Sequence, residues 1–273
     1  MRSRKACDLP ETGTWGTQHR VRATVSALYR YPVKGFTPER LDRVRLTAGR
    51  HFPGDRMYAV EVGPSGFDPD APDQVSKMKF AVLARIAAVA RVRTRWDDAS
   101  GRLSARLEGQ SDLDVDLQDA ADRTRLEAWL AEALGDEVDA PLKILSAAGH
   151  RFMDDPSGHV SILNLASVRD FEARLGRPVD PLRFRANIHV EGWPAWAEND
   201  WSGRQIGIGG ARLSVVKPIV RCAATHVDPA TGERDIDLVP ALFETYGHRW
   251  CGLYLSVTTD GPVAIGDPVE MPE

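Results

Sequence analysis

Short stretches in which polar and apolar residues alternate, each soon cut off by glycine, proline or aspartate, recur along this chain. "RLDRVRLTAG" alternates with period two, "DRMYAVEV" does so less cleanly, and "VRATVSALYR" is rich in β-branched residues. Side chains that alternate in this way suit strands with one buried face. "VARVRTRW" and "RLSARLEG" alternate on either side of "DDASG", which predicts a hairpin. "SDLDVDL", "FRANIHVEG", "RQIGIGGARLSVVKP", "GLYLSVTTDG" and "PVAIGDPVE" complete the set of expected strands. In "YPVKGF" Pro32 cannot donate to a ladder and Gly35 permits a turn, so the first strand ends there.

Helical periodicity is confined to three places. Ala120 to Leu134 carries Leu126, Trp129, Leu130, Ala133 and Leu134 on one face, with Asp119 placed to cap it and Gly135 to end it. A second helix is expected from Val168 to Leu175, after Ser167 as cap and with Asp170 in capping-box position. A third is expected from near Pro240 to just before Gly247. With no βαβ alternation and no repeat, the pattern predicts a mainly β, α+β chain. It divides into a leader over 1–20, a β-barrel-like domain over 21–140 and a second barrel domain over 141–273.

Hydrophobic residues make up 42% and charged residues 27%, and the net charge is −4, the composition of an ordinary globular protein. That balance argues against nucleic acid as a partner. No apolar run approaches the roughly 20 residues of a membrane span. The N-terminal stretch lacks the apolar segment of a secretory signal. Three cysteines, Cys7, Cys222 and Cys251, form no disulfide framework, which points to a reducing compartment, the cytoplasm.

Cys222 stands between Arg221 and the polar run "AATHVDPATGERD". The bland reading is a small buried hydrophobe. The reactive reading rests on the adjacent cation, since a positive charge beside a thiol favours the thiolate that ligates metals or attacks. His226 would share the face of Cys222 in an extended stretch, and no other Cys or His lies at zinc-ligand spacing. In "RFRANIHVEG", Arg183, Arg185 and Asn187 would share one strand face, a grouping suited either to an anionic ligand or to a surface ladder of ion pairs. Lys34 and Arg56 sit at turns. Nucleotide-binding glycine motifs, the phosphate-loop lysine and HExxH are absent.

"LYRYPVKGF", "GDRMYAVE", "RFRANIHVEGWPAWAENDW", "VVKPIVRCAATHVDPATGERD" and "GLYLSVTTDGPVAIGDPVE" occur in the order found in MOSC-domain proteins that carry a MOSC N-terminal β-barrel domain. The resemblance covers the chain from about Val21 to its end and is similar in architecture to the mitochondrial amidoxime-reducing components and their bacterial counterparts. It implies a molybdenum cofactor, with Cys222 as protein ligand to the metal. Lys34, Arg56, Arg185, Asn187, Arg221 and Tyr254 would lie around the cofactor's phosphate and pterin. Three positions depart from the family pattern: Gly35 where relatives often have serine, Val220 before the Arg-Cys pair, and Met78 or Lys79 near the place of an arginine.

The resemblance further implies a reductase of small N-hydroxylated compounds, amidoximes or hydroxylamines. With no appended ferredoxin domain in the sequence, its electrons would come from a separate protein of ferredoxin, flavin or cytochrome type. The alternatives are a sulfur carrier with Cys222 as persulfide, or a carrier of the cofactor. Cys251, beside Trp250, is expected in the core.

Overall fold

The computed structural model describes residues 23–272; the expected leader, with Cys7, lies outside them. The first half of the chain holds strands β1 (Ala23–Arg30), β2 (Glu39–Leu41), β3 (Arg43–Leu46), β4 (Ala59–Val62), β5 (Arg93–Asp97), β6 (Arg102–Arg106), β7 (Leu113–Asp116) and β8 (Leu142–Leu145). After these come β9 (Val160–Asn164), β10 (Ile188–Glu191), β11 (Gln205–Ile208), β12 (Ala211–Val220), β13 (Trp250–Thr259), β14 (Gly261–Ala264) and β15 (Pro268–Val269). Helices α1 (Ala120–Leu134), α2 (Leu165–Leu175) and α3 (Leu238–Tyr246) punctuate them. The chain is mainly β with a minority of helix, as its alternating runs imply.

Seven strands close into a barrel in the order β10-β9-β13-β12-β11-β15-β1, with β1 pairing back onto β10 and β2 appended to β1. Closure removes the free edges that an open sheet would expose. Inward-facing Val25, Leu28, Ile162, Ile188, Leu213, Val215, Leu253 and Leu255 are almost fully buried and fill the interior. The long strands β12 and β13 form its most extensive pairing, interrupted by register shifts that bend the end of β12. That end carries Val220 and delivers Arg221 and Cys222.

A second unit packs beside the barrel. β5, β6 and β7 form an antiparallel sheet, the first two joined by the expected hairpin, and α1 covers it. The Asp119 side chain accepts from the Asp122 amide, and Gly135, at φ 51°, ends the helix, both as expected. Leu126, Trp129, Leu130 and Leu134 enter one core with Val60, Leu103 and Val115.

Strand pairing crosses the expected division at residue 140. β1 belongs to the barrel, β3 pairs with β14, and β8 returns to pair with β4. Each crossing pairs residues far apart in sequence, and alternation within a strand says nothing about its distant partner. "RLDRVRL" is likewise two strands, broken at Asp42, with β2 on the barrel and β3 on β14.

α2 begins three residues before its expected start. Asn164 is the cap, accepting from the Ala166 amide, and Ser167 is buried inside the first turn, where its hydroxyl donates to Glu198. Asp170 accepts instead from the Trp196 indole and the Tyr246 hydroxyl, so no capping box forms. α3 also starts earlier, at Leu238, and ends at Gly247. No helix among the described residues is long and apolar enough to cross a membrane.

His189 on β10 is buried against Tyr29, with ring centroids 4.9 Å apart, and its Nε2 has no hydrogen-bond partner. Burial, aided by the positive charge of Arg221, pushes its pKa down to about 4. Below its ordinary value of about 6.5 the unfolded chain binds a proton that the folded chain refuses. Stability is therefore expected to fall as pH drops from about 6.5 to about 4, by about 3 kcal/mol in total. Denaturant titrations of wild type and His189→Leu between pH 7 and 4 check this, and the variant should lose that part of the slope.

Candidate functional site

A cavity of about 390 Å³ opens where the end of β12 meets the second unit. Lys34, Arg56 and Lys77 reach it from the first half of the chain, and Arg185, Arg221, Cys222 and Tyr254 from the second. Its volume falls in the range of small-molecule and cofactor sites. Leu83, Ala84, Phe184, Ile219 and Val220 supply apolar lining among these charges.

The back of the cavity is built on Tyr31, at the end of β1. The Arg185 guanidinium lies over its ring at 4.3 Å from the centroid, and the Arg56 guanidinium at 5.0 Å. A ring face attracts a cation, so one buried tyrosine holds two arginines together. Among the described residues only three non-glycine residues have positive φ, and Arg56 (48°) and Arg185 (51°) are two of them. Strain of this kind persists where surrounding contacts impose it, and it concentrates at functional sites. Here the Arg56 amide donates to the Tyr31 carbonyl at 2.7 Å, and the Arg185 amide donates to Leu182 across the end of a 3-10 turn.

The two arginines are not equally committed. Arg56 pairs with fully buried Asp55, whose other carboxylate oxygen accepts from the Tyr31 amide at 2.7 Å. Arg185 donates one Nη1 bond to the Phe36 carbonyl at 2.8 Å, while its buried Nη2 has no partner. Burial lowers the Arg185 pKa to about 10, which still leaves it charged at neutral pH. An unpartnered buried donor costs free energy that an incoming acceptor recovers.

A second chain of charges runs across the mouth. The Lys34 ammonium donates to the Phe152 carbonyl at 2.8 Å and pairs with Asp154. Asp154 also accepts from Lys77 at 3.2 Å, and Lys77 Nζ lies 3.2 Å from Cys222 Sγ. Burial pulls the Lys34 ammonium below its ordinary value, with Asp154 opposing. Burial would raise the Asp154 carboxyl, but Lys34 and Lys77 outweigh it and hold it well below the usual carboxylate range. One carboxylate is thus shared by two ammonium groups, and one of these reaches the cysteine.

Several residues expected at the site do other work. Asn187 is fully buried outside the cavity: its Oδ1 accepts from the Ser161 amide and hydroxyl, and its Nδ2 donates to the Tyr29 carbonyl, joining β9, β10 and β1. Arg221 lines the cavity, but its guanidinium donates to the Cys251 and Phe184 carbonyls. These bonds tie the end of β12, and with it the backbone of Cys222, to β13 and to the turn that ends at Phe184. Arg183 lines the cavity as Arg185 does, but not from a shared strand face, because Pro181–Phe184 forms a 3-10 turn instead of strand; its guanidinium pairs with Asp228 and Asp235. His226 does not pair with Cys222: the 3-10 turn Ala223–His226 carries it away, and its Nε2 accepts from the Val239 amide at 3.3 Å.

Lys77, Asp154 and the Lys217–Asp155 pair (2.7 Å) also line the cavity and were not anticipated. Lys77 stands in "VSKMKF", directly before Met78 and Lys79. "FMDDPSGH", which supplies Asp154, Asp155 and His159, gives no signal beyond turn-forming residues.

Gly35 has φ 90°, and a Cβ placed there would sit 2.4 Å from the Ala81 carbonyl oxygen. A serine cannot be introduced there without moving that backbone. Gly35→Ser is expected to lower stability by about 2 kcal/mol or more, read as a drop in Tm.

Comparison with known proteins bears on this cleft. Residues 22–146 match the MOSC N-terminal beta barrel domain, and residues 149–270 match the MOSC domain. The mitochondrial amidoxime-reducing component 1 of Mus musculus is 32% identical over 122 residues, 40% of this chain and 35% of the mouse protein. The molybdenum cofactor sulfurase of Anopheles gambiae is 38% identical over 79 residues, 29% of this chain and 10% of that protein. The matches thus span about a third or less of these relatives. The YUAD protein from Bacillus subtilis, a solved structure, is 15% identical at a TM-score of 0.42, covering 90% of this chain and 93% of that one.

Proposed function

The chain belongs to the family that joins a MOSC N-terminal β-barrel domain to a MOSC domain, and from that premise we propose that its cleft binds a molybdenum cofactor and reduces N-hydroxylated compounds. The observation that carries this reading is the convergence of Cys222 with Lys34, Arg56, Lys77 and Arg185 on one cavity, drawn from both halves of the chain. The residues fit the group. A thiolate is a soft donor suited to such a metal. Among the described residues no three His, Cys, Asp or Glu side chains cluster as metal ligands, so the remaining ligands must come with the cofactor. Arg185 Nη2 is an orphaned donor, and Lys34 and Lys77 share one carboxylate, which leaves the cavity short of negative charge.

In this reading Cys222 holds the metal, while Arg185, Lys34 and Lys77 hold the phosphate and the pterin oxygens by charge-assisted bonds. Arg56, committed to Asp55, keeps Tyr31 and Arg185 in place. When bound, the cofactor would supply the two-electron couple that cleavage of the substrate's N–O bond requires. Turnover consumes two electrons and two protons and releases water and the reduced amine or amidine. His159 Nε2, on the cavity wall 3.8 Å from Asp155, is a group able to relay a proton there. Burial lowers its pKa, so at neutral pH it is an imidazole free to accept one. The electrons come from a separate redox protein.

The similarity to a molybdenum cofactor sulfurase favours a second reading, in which Cys222 carries sulfur. Molybdenum, pterin and sulfane-sulfur analysis of protein from a cofactor-competent host separates the two. It is paired with benzamidoxime reduction driven by a chemically reduced viologen. Stoichiometric metal with turnover supports the reductase, and persulfide without metal supports the sulfur carrier. Bound cofactor without turnover indicates a carrier of the cofactor.

A further inference from the structure

Beyond Cys222 the chain makes a detour before α3. Residues 227–235 fold into a tight strap: Val227 bridges Arg234, and the Asp228 amide donates to Glu233 at 2.7 Å. The Asp228 carboxylate accepts from the Ala230 and Thr231 amides, which shapes the turn. The strap belongs in sequence to the second half of the chain, yet Val227 is buried in the core of the second unit, which the first half of the chain builds. Gly232, at φ 77°, approaches that unit so closely that a Cβ would lie 3.1 Å from Arg91 Cγ and 3.2 Å from the Ala87 carbonyl oxygen.

Arginines fasten the strap. Arg183 holds it from within, donating to the His226 carbonyl at 3.1 Å and to Asp235 at 2.7 Å. Arg93, on β5, donates to the Pro229 and Ala230 carbonyls at 3.3 and 3.2 Å. Arg234 does something different. Its Nη1 donates to the Ala223 carbonyl, next to Cys222, at 3.2 Å. Its Nη2 donates to the Leu83 carbonyl at 2.7 Å and the Ala84 carbonyl at 3.2 Å. Leu83 and Ala84 line the wall of the cavity contributed by the first half of the chain. A single rigid guanidinium therefore grips the backbone of both walls, which a flexible ammonium with one nitrogen cannot do as well.

We propose that Arg234 is a positioning residue that sets the width of the cleft and so keeps the Cys222 sulfur against Lys77. The proposal holds whichever ligand the cleft takes, and its test needs no cofactor. o-Phthalaldehyde condenses with a neighbouring amine and thiol to a fluorescent isoindole, with loss of two waters. The amine and the thiol must lie within a few ångströms of each other.

In a Cys7→Ser background the protein should form this isoindole, and Lys77→Met or Cys222→Ser should abolish it. Arg234→Met should slow its formation by about fivefold, the effect of one net hydrogen bond lost from closure. Arg234→Lys should fall between, and Gly232→Ala, which pushes the strap off Arg91, should slow it as well. A folded Arg234→Met protein, with wild-type Tm, that labels at the wild-type rate overturns the proposal. So does failure of the unsubstituted pair to form isoindole. Should Arg234→Met not fold, wild-type rates in both Arg234→Lys and Gly232→Ala overturn it equally.

Discussion

Serine in place of Cys222 is expected to empty the protein of molybdenum while leaving it folded. The Cys222 side chain is half-buried at the cavity wall, and its sulfur touches Lys77. Exchanging sulfur for oxygen there removes the soft donor but little packing, so the stability cost should stay below about 1 kcal/mol. Cys251→Ser should do the reverse. Burial pushes the Cys251 thiol up to about 12, so it is no thiolate at neutral pH. A serine hydroxyl in its apolar surroundings with Phe171, Phe184 and Leu242 should cost about 1–3 kcal/mol. Its backbone carbonyl, which holds Arg221, is untouched by the substitution. Metal content by mass spectrometry and Tm by calorimetry separate the two variants. Metal lost from Cys251→Ser but kept in Cys222→Ser would reverse the assignment.

The elements of this fold were legible in the sequence where the signal is local. α1 was bounded by its own cap and its own terminal glycine, and the β5–β6 hairpin by the turn between two alternating runs. The pairing of β3 with β14 and of β8 with β4 was not, because each joins residues distant in the chain. At the site, the sequence patterns and the family resemblance pointed to Cys222, Lys34, Arg56 and Arg185, which share the cavity. The family resemblance implies Asn187 and Arg221 as cofactor contacts, but a sequence pattern does not show where a donor points. In the folded chain their donors are taken up by backbone carbonyls. Lys77 and Asp154 carry no sequence signal for the opposite reason. Each lies in a loop without periodicity, and their pairing with Cys222 and Lys34 exists only after folding.

That distinction between committed and uncommitted donors sets an order for the arginines and lysines of the cleft. Arg185→Met should weaken cofactor retention by about tenfold or more, since Nη2 is unpartnered and a charge-assisted bond to phosphate contributes roughly 1.5–3 kcal/mol. Lys34→Met should act in the same direction, and it also leaves the Asp154 carboxylate with one cation in place of two, which adds to the loss. Arg56→Met should differ in kind. It strands fully buried Asp55, whose remaining side-chain partner is the Tyr31 amide, and breaking such a pair costs about 3–5 kcal/mol of folding stability. Arg56→Met should therefore lower Tm sharply, whereas Arg185→Met, which loses its bond to the Phe36 carbonyl but strands no buried charge, should lower it less and release cofactor. The measurement is the rate at which pterin fluorescence appears after dilution of purified, loaded protein, set beside thermal unfolding of the same samples. If these were unconnected surface charges, each would contribute about 0–1 kcal/mol and neither quantity would move much. An Arg185→Met protein that holds its pterin as long as wild type would remove the cationic cleft from the account of cofactor binding.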